Sequence, residues 1–151
     1  GCMSKDFIAP IQVVHLFVVD STFHIENEPS QNMDLKVDVS YQDVHLLRNK
    51  AGERADLKLY VCGSLIDRDD AKEKMRADVT VAISVSTKMP FDISDDEARR
   101  YLLSNAISMA YGHAKSYLMV VTGLSPMGAL TLPAILPSEL AADSDASFQS
   151  E

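Results

Sequence analysis

The chain has no tryptophan, only two cysteines in 151 residues, and no apolar run approaching the ~18 residues that would cross a membrane. Cys2 stands at the terminus and Cys62 inside a strand-like run, so no disulfide framework is available and a reducing compartment, the cytoplasm, is expected. The longest apolar stretch, from Ile11 to Val19, is interrupted by Gln12 and His15, a pattern that predicts neither a spanning helix nor a signal peptide. Met3-Ser4-Lys5 reads as a natural start, with Gly1 and Cys2 as residues added for expression. Bases are scarce as well. Fourteen Lys and Arg face 22 Asp and Glu, for a net charge of -8. Without a basic cluster the phosphates of nucleic acid would be repelled, which leaves neutral or basic partners.

Motifs for catalysis are also missing. The four histidines, His15, His24, His45 and His113, include no pair at metal-ligand spacing, and Cys62 has no cysteine neighbour, so no metal is expected. A nucleophilic Ser125 or Cys62 would need a base and an oxyanion site. The sequence has neither a Gly-x-Ser-x-Gly elbow nor a Gly-rich loop for phosphates, so no enzyme activity and no cofactor are expected.

What the chain does have is a long helix running into an apolar tail without a polar face. Leu102, Leu103, Ala106, Ile107, Ala110, Tyr111, Ala114, Leu118 and Val121 recur at three- and four-residue steps, the spacing of a single helical stripe. Ser94 followed by Asp95, Asp96 and Glu97 predicts the start, with the hydroxyl accepting from a first-turn amide and the acids opposing the dipole. Gly123 predicts the stop. From Gly123 to Pro137, three prolines and two glycines forbid a regular helix, yet Leu124, Met127, Leu130, Leu132, Ile135 and Leu136 all need burial. Such a segment either straps the domain's own core or lies along a partner.

The first ninety residues predict four strands. In Ile11 to Glu26 apolar residues occupy both parities, which implies that both faces are covered near its start. Leu35, Val37, Val39 and Tyr41 alternate with polar residues, and the apolar parity shifts at Gln42-Asp43 before Val44 and Leu46, as a β-bulge would cause. A turn at Asn49 to Gly52 joins this strand to the alternating run Leu57 to Leu65 as an antiparallel hairpin. A highly charged turn, Asp67 to Lys74, precedes Val79, Val81, Ile83 and Val85. The prediction is therefore one α+β domain, a four-stranded antiparallel sheet followed by one long helix. It spans residues 11–137, between a flexible 1–10 and an acidic, disordered 138–151 that carries four carboxylates and no base.

This order of elements resembles the SecB export chaperones. Asp20-Ser-Thr-Phe23 is similar to a first-strand pattern of that family, Tyr111 to Pro126 to its helix end, and Leu130-Thr-Leu132-Pro133 to its Leu-x-Leu-x-Pro segment. The resemblance covers residues 11 to 137 and also extends to SecB-like chaperones that serve a toxin-antitoxin pair. It implies ATP-independent holding of unfolded polypeptides, in the cytoplasm, by a homo-oligomer arranged as a dimer of dimers. Two departures stand out. Phe23-His24 replaces a Phe-Glu pair whose acid helps dock the translocase motor ATPase, and the family's second helix, one wall of its peptide groove, has only the short acidic tail in its place.

A holdase needs exposed apolar surface and adaptable side chains, and seven methionines suit that need. The expected client-binding groove comprises Met33 and Leu35 facing Met127, Leu130, Leu132, Ile135 and Leu136. Asp20, Glu26 and Glu28 read either as docking acids for a basic partner or as a solvated strand end. One sheet face, together with Tyr101, Met109 and Tyr117 on the helix's second apolar side, exceeds what one protomer can hide, which is a second ground for a homo-oligomer. The alternative from another class is a small-ligand-binding, hot-dog thioesterase-like domain. In that architecture the long helix comes early in the chain, whereas here it follows all four strands.

Overall fold

The computed structural model describes residues 10–26, 31–88 and 93–149. Its order is β1 (Ile11–Ile25), β2 (Met33–Asn49), β3 (Gly52–Asp67), β4 (Glu73–Thr87), α1 (Asp95–Thr122), α2 (Pro137–Ala142) and β5 (Phe148–Gln149). The sheet runs β1-β4-β3-β2-β5, with β1 to β4 all antiparallel to their neighbours and β5 parallel to β2. The sheet is thus mixed and five-stranded where four antiparallel strands were expected.

Local chemistry accounts for the predicted elements. Alternation along β3 and β4 sends Leu57, Leu59, Val61, Met75, Val79, Val81, Ile83 and Val85 to one face, where each is 2% exposed or less. The opposite face carries Arg54, Asp56, Lys58, Arg76 and Asp78 at the intervening positions. The expected bulge in β2 is present as a register shift between Gln42 and His45, with Asp43 at φ 56°. The β2–β3 turn has only Lys50 and Ala51 between the paired Asn49 and Gly52; Gly52 takes φ 135°, open to glycine alone, and the Ala51 amide donates to Asn49 Oδ1 at 2.8 Å.

The stripe from Ala98 through Leu102, Leu103, Ala106, Ile107, Ala110, Tyr111, Ala114 and Leu118 to Thr122 buries α1 against β3 and β4. Ser94 caps it, its hydroxyl accepting from the Glu97 amide at 3.1 Å. Arg48 at the end of β2 ties the hairpin to the helix start, lying 2.8 Å from Asp95 and 3.4 Å from the buried Glu53.

Residues 137–149 correct the expectation of a disordered tail. Acid content hid an apolar set, Leu140, Ala141, Ala146 and Phe148, that packs on the core, with Ala141 only 1% exposed. Pro137 stands in the first turn of α2, where a missing amide costs nothing. Of the N-terminus expected to be flexible, residues 1–9 lie outside the described residues.

Candidate functional site

The segment after α1 is held by two side chains of the helix, Thr122 and Tyr111, and by one of its own, Ser125. Thr122 is fully buried; its hydroxyl donates to Leu118 O and accepts from the Leu130 amide, each at 2.7 Å. The Tyr111 hydroxyl donates to Pro133 O, and the Ser125 hydroxyl to Gly128 O at 3.0 Å. Burial raises the Tyr111 pKa above that of a free phenol. Gly128 turns the chain at φ 76°. Leu130 and Leu132 then come down on Gly63 of β3, where a Cβ would run into Leu130 and lie 3.2 Å from Leu132 Cδ2. Glycine at this position makes room for the strap.

The expected groove is therefore divided. Leu130 and Leu132, at 4% and 3% exposure, are core residues within one protomer, which corrects their assignment to an open groove. Met33, Met127 and Ile135 are half-buried, while Leu35 and Leu136 are exposed, and Leu124 stands entirely in solvent. Leu35 belongs to the same edge of the fold as the strap, since it pairs with Leu65 and its neighbour Val37 pairs with Gly63.

Two further surfaces were not read from the sequence. The first is β1, where Val13, Val14, Phe17, Val19 and Phe23 are 38 to 51% exposed. β1 is an outer strand, so the expectation that both its faces are covered fails for a single protomer. Apolar residues on both parities read as covered faces in the sequence, but that pattern does not say whether the same chain supplies the cover. The second is the outer edge of β2. Between Val39, Tyr41 and Val44 and the tail residues Leu140 and Asp143 to Ala146 lies a cleft of about 630 Å³. The Tyr41 hydroxyl donates to Leu140 O at 2.6 Å across it; burial, with smaller contributions from Asp143 and Asp145, raises its pKa. A larger cleft, about 770 Å³, lies between Pro10, Gln12 and the β2–β3 turn, next to segments outside the described residues.

Of the expected docking acids, Asp20 on β1 and Glu26 just after its end are exposed, Glu26 lies 3.4 Å from His24, and Glu28 lies outside the described residues. Among the described residues no group of His, Cys, Asp and Glu is arranged to hold a metal ion, and no helix is long and apolar enough to cross a membrane.

No protein-family model matches the sequence, and no curated protein does. Solved structures do. A SecB-like chaperone from Mycobacterium tuberculosis, in complex with a peptide from the HigA1 antitoxin, superposes with a TM-score of 0.60 at 14% identity, over 83% of this chain and 91% of that one. A protein of unknown function from Streptococcus agalactiae gives 0.46 at 12% identity, over 82% and 97%. The first likeness establishes a SecB-like fold for this chain.

Proposed function

We propose that this protein is an ATP-independent holdase that binds extended, unfolded polypeptide segments, antitoxin-like ones among them, as a cytoplasmic homo-oligomer. The observation that carries the reading is apolar surface left open by a well-packed domain. Among the described residues ten large apolar side chains, Val14, Phe17, Leu124 and Leu136 included, stay exposed although the core beneath is closed. Scattered apolar residues are ordinary, but a run along one outer strand together with a strap rim marks surface that binds something. A client burying a few hundred Å² there gains several kcal/mol at ~25 cal/mol per Å², enough for roughly micromolar affinity after ordering costs. The net charge of -8 keeps such a surface soluble between encounters.

In this reading β1 is the surface shared between protomers, and Leu35, Met33, Met127, Ile135 and Leu136 receive clients. Asp20 and Glu26 are left to dock a basic partner such as a motor ATPase. The SecB-like neighbour, crystallised with an antitoxin peptide, supports the client class. Because this chain has no tryptophan, a reduced, carboxymethylated protein containing tryptophan reports binding against a dark background. A saturable micromolar change in its emission is expected without nucleotide, and Leu124→Ser with Leu136→Ser should weaken it. No change at saturating protein would sink the proposal.

A further inference from the structure

β2 is paired along its length with β3 on one side, but on the other it is met only at Leu46 and Leu47, by Phe148 and Gln149. Among the described residues no strand lies against its outer edge from Met33 to His45. The two-residue β5 is the only parallel pairing among the described strands, and parallel pairs are the weaker kind. Phe148 is half-buried beside Leu46, which is 1% exposed, and the Arg48 guanidinium lies 6.0 Å from its ring centre. The tail leading to it is held from Tyr41 to Leu140 O and from Arg99 to Ser144 O at 2.9 Å, both ending at main-chain oxygens.

From this arrangement we infer that β5 is a placeholder: an extended partner segment carrying an aromatic residue displaces Phe148 from its seat beside Arg48 and adds a strand to the outer edge of β2. The inference rests on the holdase reading and deepens it by naming the partner's chemistry. An open strand edge recognises main chain, so it accepts an unfolded segment and rejects a folded helix. The Phe148 seat selects an aromatic anchor. Asp143 and Asp145 on the rim of the adjoining cleft favour a basic residue next to it. While β5 is docked the edge is partly occupied, so apparent affinity is reduced by the fraction of molecules in which it has let go.

Two full-length variants test this with a fluorescently labelled, reduced and carboxymethylated protein as probe. Phe148→Ser is expected to bind roughly three- to tenfold tighter than wild type, with faster hydrogen exchange at Leu46 and Leu47 when no probe is present. Leu47→Cys with Gln149→Cys, at paired positions, locks β5 when oxidised; binding should fall severalfold and return on reduction. Wild-type binding that neither variant alters in these directions overturns the placeholder while leaving the holdase reading intact. Absence of binding by every form removes both.

Discussion

Thr122 shows how much one side chain can do at the junction of helix and strap. Replacing it with Val keeps the shape but leaves the buried Leu130 amide without an acceptor, so Thr122→Val should cost about 1–3 kcal/mol in a denaturant melt. Tyr111 and Tyr41 both have raised pKa values, chiefly through burial. The neutral phenol is favoured in the folded state, so this stability is fully present below the unfolded-state value of 10.0 and is lost as pH rises through the higher folded-state values. Thermal melts at increasing alkalinity should therefore fall steeply above about pH 10, and Tyr111→Phe should make the fall shallower. None of these residues stood out in the sequence for these roles. Thr122 reads as the last residue before a glycine, and its partner lies eight residues further on, in a segment without periodicity.

At the scale of elements, what was legible is what is local. Helix α1 could be read from its cap and its spacing because both signals sit within a few residues of their effect. The β2 bulge could be read because a parity change is visible along one strand. The place of β1 beside β4 depends on partners 50 to 76 residues apart, from Ile25 with Met75 to Ile11 with Thr87, and the docking of β5 on contacts about a hundred residues apart, such as Phe148 on Leu46; four carboxylates in the last fourteen residues masked the apolar spacing there. Sequence alone leaves the apolar strap open between core and groove, and burial separates Leu130 and Leu132, which are core, from Leu124 and Leu136, which stay exposed. Leu132→Ala should accordingly destabilise the domain by about 2–5 kcal/mol, whereas Leu124→Ser should leave the melt nearly unchanged. Equal sensitivity of the two would contradict this division. The outer strand β1 gives the complementary test: Phe17→Lys with Val19→Lys should weaken self-association at least about tenfold while the circular dichroism spectrum persists.

At the scale of the whole molecule, a closed core beneath an open apolar surface is the arrangement that the proposed holdase requires. An oligomer built along β1 would cover part of that surface and repeat the rest, so weak single sites act together on one long client. The most direct measurement is the aggregation of a chemically denatured, reducible protein diluted into buffer with and without this chain, in the absence of nucleotide, with the mass of the chain followed by light scattering. Suppression near one oligomer per client, by a species several times heavier than 16.6 kDa, is the expected result. A well-folded sample that remains at 16.6 kDa and leaves aggregation unchanged would contradict the holdase reading.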